Sequence, residues 1–207
     1  MNKFKNSIYE IGIDEAGRGP LFGNVYACAV VWEQDLNNDL IDDSKKLSKK
    51  KRNIAHDWIK ENIKYYGIGY ATNEEIDTIN ILQATKLAMK RAIDKCIKKI
   101  NNKFKIQSII IDGCYWEKYH SDFCDENIKL ESVVKGDSKY LSIASASILA
   151  KEYHDEHIKQ LIDLDNSLNK KYNLLKNMGY GTKAHIQGIK EYGLSKYHRK
   201  SFKLKSC

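Results

Sequence analysis

Gln107 to Ile111 (QSIII) is a short, β-branched and almost wholly apolar run. A strand with one wet face alternates polar with apolar residues, so a run without alternation reads as a strand covered on both faces. It delivers Asp112 at its end. Leu130 to Val134 has a similar character and leads into Lys135-Gly136-Asp137. Upstream, Ile8 to Ile13 alternates imperfectly and ends in Asp14-Glu15; Val25 to Trp32 follows after a glycine-rich turn. Two strands joined by a short loop fit this pattern, and Lys64 to Ala71 reads as another strand. The loop Ala16-Gly17-Arg18-Gly19-Pro20 holds the chain's single proline, so its backbone is specified by a sharp turn or by something that approaches it closely.

Helical periods fill the intervals. Ser48 can cap a helix running to about Asn62, and Asn73 with Glu74 and Glu75 starts further helical material. Ile81, Thr85, Ala88, Ala92, Cys96 and Ile100 recur at helical spacing, which makes Asn80 to Ile100 an amphipathic helix fit to cover a sheet. A long helix is expected from about Ser138 to Leu164, opening on small residues (YLSIASASILAK) that allow close packing. Beyond Asp165, NSLNKKYNLLKN is polar and weakly periodic, and Thr182 can cap a last helix before a basic tail. Strands first, then strands alternating with helices, argue for an α/β fold with a mixed sheet. The length of 207 residues fits one domain, 1–207.

The chain carries 35 Lys+Arg against 27 Asp+Glu, a formal +8 that favours polyanionic partners, nucleic acid first; lysine as a mere solvating residue is the alternative. Five cysteines form an odd set, with Cys28 and Cys96 inside apolar patterns that read as buried thiols. Cys114, His120 and Cys124 lack a paired C-x-x-C and a fourth ligand, which argues against zinc. No segment approaches the roughly 20 apolar residues that a membrane span needs, so a cytoplasmic protein is expected.

Asp14-Glu15, Asp112 and Asp137 each follow an apolar, strand-like run. Singly, each could merely cap a helix or turn. Neighbouring strands would bring all four to one pocket, where mutual repulsion is relieved by a divalent cation. Oxygen ligands suit Mg²⁺ or Mn²⁺, and two such ions about 3.5–4 Å apart can hydrolyse a phosphodiester without a protein nucleophile. The sequence holds no G-x-S-x-G elbow, papain-like cysteine motif or Walker loop, in keeping with that chemistry.

IGIDEAGRGPLFGNVYACAVV, DDSKKLS, YGIGYA, NILQATKLAM, IDG, VVKGDSKYLSIASASILAK, GYGTKAH and HRKSF follow one another along nearly the whole chain. In content and order these motifs resemble bacterial ribonuclease HII. The resemblance implies a ribonuclease H-like mixed sheet flanked by helices, with a small helical C-terminal part. It implies an endonuclease that hydrolyses the RNA strand of RNA–DNA hybrids and nicks duplex DNA 5′ to embedded ribonucleotides, leaving 5′-phosphate and 3′-hydroxyl ends. The family's metal-binding carboxylates fall on Asp14, Glu15, Asp112 and Asp137. Its ribonucleotide-reading loop falls on Gly17, Arg18 and Gly19, and its junction-sensing tyrosine on Tyr180.

Ser44, Lys45 and Lys135 are further candidates for phosphate contacts, since a bound hybrid must cross the carboxylates. His154 and His157 follow the small-residue helix and could reach the cleft, but bystanders on the helix surface are the expectation. The chain departs from the family pattern between Asp165 and Met178 and at Cys114-Tyr115-Trp116. Other readings are a ribonuclease H-like nuclease with different substrates and a non-catalytic nucleic-acid-binding protein. Monomer is the default assembly.

Overall fold

A computed structural model of the chain describes residues 1–2, 9–33, 36, 38–42, 44, 46–101, 103, 105–113 and 128–204. The strands are β1 (Glu10–Ala16), β2 (Val25–Val31), β3 (Tyr66–Ala71), β4 (Ser108–Asp112) and β5 (Lys129–Val133). They form one sheet in the order β3-β2-β1-β4-β5. β1 and β2 pair antiparallel, as do β2 and β3, while β4 lies parallel to both β1 and β5. The expected mixed α/β sheet is therefore present.

Alternation along β1 sorts its side chains onto two faces. Ile11 and Ile13 join Val25, Ala27 and Ala29 of β2 and Ile109 and Ile111 of β4 in a core packed under α2 (Asn73–Ile100). Cys28 and Val30 point the other way, into a core with α1 (Lys49–Asn62) and α3 (Leu141–Leu164). The small residues of α3 permit a close approach: a Cβ on Gly12 would lie 2.5 Å from the Ser142 carbonyl carbon. Both cysteines read as buried thiols are free and buried, and desolvation pushes the Cys96 thiol up to about 12.

Several boundaries shift for identifiable reasons. β1 continues through Asp14 and Glu15, because these residues still pair with Cys28 and Ala27 of β2. Asn80 is not a helix start but a kink at φ 67° inside α2, where its side-chain oxygen accepts from the N–H groups of Leu82 and Gln83. The turn before it is capped reciprocally by Thr72 and Glu75. Ser138 ends a 3₁₀ turn, Gly136–Ser138, and α3 begins at Leu141.

The weakly periodic segment after Asp165 folds as two short helices, α4 (Ser167–Tyr172) and α5 (Leu174–Asn177), separated by Asn173 in a left-handed conformation. Their buried Leu168, Tyr172 and Leu174 pack with Phe22 and the far end of α3. Thr182 caps α6 (Lys183–Tyr192), accepting from His185 N–H. Among the described residues, no helix is long and apolar enough to cross a membrane.

Candidate active site

The register of the central strands sets two of the acids side by side. Ile13 of β1 pairs with Ile111 of β4, so the next residues, Asp14 and Asp112, emerge together where the parallel ladder between the two strands stops. Asp112 also pairs with Val133, the last residue of β5, and the chain then turns through Lys135, at φ 55°, into the 3₁₀ turn bearing Asp137. Gly136 N–H donates to Asp112 Oδ1 at 2.6 Å, tying that turn to β4. One carboxylate oxygen from each of Asp14, Asp112 and Asp137 lies within 4.8 Å of the others. Asp14 and Asp137 are 5% and 3% exposed, so this concentration of charge has little water to screen it.

Burial, then the charges of Glu15 and Asp112, push the Asp14 carboxyl well above the usual carboxylate range. Hydrogen bonds from Ser147 and from Glu15 N–H, the latter at 2.7 Å, act against that rise. Glu15 lies in the same pocket but outside the tight group of three: its Oε1 accepts from Arg18 Nη1 at 3.1 Å. Burial raises its carboxyl, and the Arg18 charge opposes the rise. Three converging carboxylates, two of them buried, fit a hard divalent cation.

The pocket, about 360 Å³, continues from Asp14, Glu15 and Asp112 over the backbone of Gly17, Arg18 and Gly19 to Tyr180. Gly17 has φ +88°, and a Cβ there would stand 2.4 Å from His154 Cδ2, so the site excludes a side chain on two grounds. Tyr180 lies across Gly19, its Cε1 3.2 Å from where a Cβ would sit, and the tyrosine is 42% exposed. Ser44 is buried at the pocket wall, its hydroxyl 2.8 Å from that of Ser147. The exposed Lys135 does not line the pocket, and Lys45 lies outside the described residues, as do Cys114, His120 and Cys124.

Three neighbours, Ser147, Lys151 and Arg52, were not singled out in the sequence, and His154 is placed differently than expected. Ser147, Lys151 and His154 fall at i, i+4 and i+7 on α3, one helical stripe beneath the loop. His154 is fully buried under Gly17 rather than on a helix surface. Burial holds its imidazole below its ordinary range, against the pull of Asp155, whose Oδ1 lies 3.0 Å from His154 Nδ1. Arg52 shares the face of α1 that buries Ala55 and Ile59, and pairs with Glu152. Lys151 Nζ donates to Asp155 at 2.7 Å and stands 5.8 Å from the centre of the Tyr180 ring. The helical stripes were the available signal.

Comparison with known proteins places the chain in a family. Residues 11–205 match the profile of the family described as Ribonuclease HII. A ribonuclease HII of Christiangramia forsetii is 43% identical over 204 residues, covering 99% of this chain and 95% of the relative. That of Phocaeicola vulgatus is 42% identical over 200 residues, covering 95% and 90%. Among solved structures, the ribonuclease HII in a PCNA complex from Archaeoglobus fulgidus superposes with a TM-score of 0.70 at 22% identity, covering 96% of this chain and 97% of that one. Bst-RNase HIII in complex with Mn²⁺ gives 0.65 at 19% identity, covering 88% and 69%. With the family profile spanning nearly the whole sequence and relatives above 40% identity along it, the chain belongs to the ribonuclease HII family and is a ribonuclease of the H type.

Proposed function

We propose that Asp14, Asp112 and Asp137, with Glu15 beside them, hold Mg²⁺ or Mn²⁺ and that the chain nicks DNA 5′ to an embedded ribonucleotide. As a family member it hydrolyses the RNA strand of RNA–DNA hybrids. The observation that carries the metal assignment is the convergence of three carboxylates, Asp14 and Asp137 buried and Asp112 half-buried, from β1, β4 and the turn after β5. The Mn²⁺ in Bst-RNase HIII, a structural neighbour, supports an oxygen-bound divalent ion.

The reaction replaces one phosphorus–oxygen bond by another: water attacks phosphorus, the 3′ oxygen departs and gains a proton, and a 5′-phosphate remains. When bound, divalent ions supply stabilisation of the charge that develops on the attacking and leaving oxygens. The protein's share is placement. Asp14 is steadied by Ser147, which Ser44 supports in turn. Pocket-lining backbone at Gly17–Gly19 offers polar groups to a ribose 2′-hydroxyl, and the Tyr180 ring across Gly19 offers a face for the following sugar. Arg52 and Lys151, at the same pocket, are placed to meet phosphate oxygens. Residues 1–207 act as one catalytic unit, a cytoplasmic monomer.

Cleavage of a labelled DNA duplex carrying one ribonucleotide, beside all-DNA and RNA–DNA hybrid controls, tests this in Mg²⁺, Mn²⁺ and EDTA. Nicking 5′ to the ribonucleotide that EDTA abolishes is expected. Binding without cleavage in every metal would sink the assignment.

A further inference from the structure

The motif HRKSF has no part in the chemistry above, yet its first two residues reach both substrate-facing elements from behind. Arg199 is 2% exposed, and its five N–H donors meet five carbonyl oxygens. Nε donates to Gly23 at 2.8 Å, Nη1 to Arg18 and Pro20 at 3.1 and 2.7 Å, and Nη2 to Gly17 and Asn24 at 2.7 and 3.0 Å. All five belong to the loop between β1 and β2. A buried guanidinium is costly to desolvate, and burial pulls this one down to about 9; no carboxylate pairs with it among the described residues. The loop's carbonyl dipoles are what hold it, and it holds them.

The neighbouring residue serves the other element. Ser195 N–H donates to His198 Nδ1 at 2.9 Å, which leaves the His198 proton on Nε2. That nitrogen lies 3.0 Å from His185 Nε2, and His185 Nδ1 in turn reaches the Tyr180 carbonyl at 2.9 Å. Three hydrogen bonds in sequence thus tie the Tyr180 turn to the same backbone segment. The segment itself is rooted on α2: Asp77 accepts from Lys200 and Ser201 N–H, at 2.9 and 2.8 Å, and Asn73 donates to the Lys196 carbonyl at 3.0 Å.

We propose that Arg199, with His198, is a positioning residue for substrate discrimination: the pair fixes the distance between the Gly17–Gly19 loop and Tyr180, so that a ribonucleotide junction is gripped by both. This rests on the nuclease reading given above. The test compares Arg199→Met, Arg199→Lys and His198→Gln with the native chain. It measures kcat/KM on a duplex carrying one ribonucleotide and on a continuous hybrid, and the Tm shift produced by Mn²⁺.

Since a displacement of about 1 Å can cost about a hundredfold in rate, Arg199→Met is expected to lower the single-ribonucleotide to hybrid ratio by about that factor. Lysine offers three donors for five carbonyls, so Arg199→Lys should fall between. The Mn²⁺ shift should persist in all three. A ratio unchanged in folded variants overturns the proposal, even if both rates fall, because a merely structural role would depress the two substrates alike. If Arg199→Met does not fold, the other two variants are read by the same ratio. Should the native chain cut neither substrate, the nuclease reading falls instead, and hydrogen exchange at the Leu21 and Gly23 amides decides the clasp: faster exchange in Arg199→Lys upholds it, and unchanged exchange overturns it.

Discussion

Asp14, Glu15 and Asp112 share a pocket with the Gly17–Gly19 loop, but acids and loop are positioned by different means. Asp14 and Asp112 stand at the ends of adjacent strands, and a ladder of neighbouring residue pairs sets where they emerge. Gly17 to Gly19 and Tyr180 belong to turns with no ladder of their own, and side chains from later in the chain hold them: Arg199 reaches Gly17 across 182 residues, and His185, backed by His198, holds the Tyr180 carbonyl. The first half resists change because the core of the sheet would have to move with it. The second half can be loosened by one substitution far away in sequence, which makes selectivity more easily altered than chemistry.

The sharpest way to break that contrast is to disable the acids without disturbing the fold. Asp14→Asn and Asp112→Asn are each expected to slow single-turnover cleavage by about 10²–10³, the scale of losing one electrostatic stabiliser. Their melting temperatures should not fall, since each removes a charge from a mutually repelling group. A drop in Tm as large as that of a core mutant would show that the acids are structural.

On the loop side, Gly17→Ala places a side chain at φ +88° against His154. It should cost about 1–3 kcal/mol by backbone strain, read in urea unfolding, while the Mn²⁺-induced Tm shift survives. Loss of that shift would mean that the two halves are not separable.

Glu15→Gln tests the boundary between them. Glu15 borders the three aspartates and pairs with Arg18, so a loss of about tenfold in cleavage, typical of a group that supports a metal ligand, is expected. A loss equal to that of Asp14→Asn would place it among the metal's direct ligands.

The smallest effect is a dependence on pH set by the side chains that hold the Tyr180 turn. Burial holds His198, faced by His185, Tyr172 and Ser195, at about 4, below the ordinary value near 6.5. As pH falls from about 6.5 toward 4, the unfolded chain takes up this proton before the folded one, so the stability contributed by the neutral imidazole is present above 6.5 and drains away below it. The native chain should therefore lose more Tm across that interval than His198→Gln; parallel curves would refute the assignment.

Much of the architecture is written locally. The unalternating QSIII run, the cap at Ser48 and the helical recurrence from Ile81 to Ile100 each express a short-range rule, and each became the expected element. Boundaries moved where pairing overrode the local pattern, as in β1, which its partner carries through the acidic pair to Ala16. The two short helices after Asp165 escaped because they are too brief to show a period.

By itself, then, the sequence determined the order of strands and helices, the acids at the strand ends and, through its motifs, the family. Periodicity and strand ends are properties of neighbours along the chain, and residues five or ten apart suffice to display them. Only the tertiary structure decided that three aspartates converge while Glu15 turns to Arg18, that His154 is packed beneath Gly17, and that Arg199 holds the loop. The convergence of Asp14 with Asp112 and Asp137 and the contacts of Gly17 with His154 and Arg199 join residues far apart in sequence, brought together by packing of the whole core, and even the local Glu15–Arg18 pair, three positions apart, follows no periodic pattern.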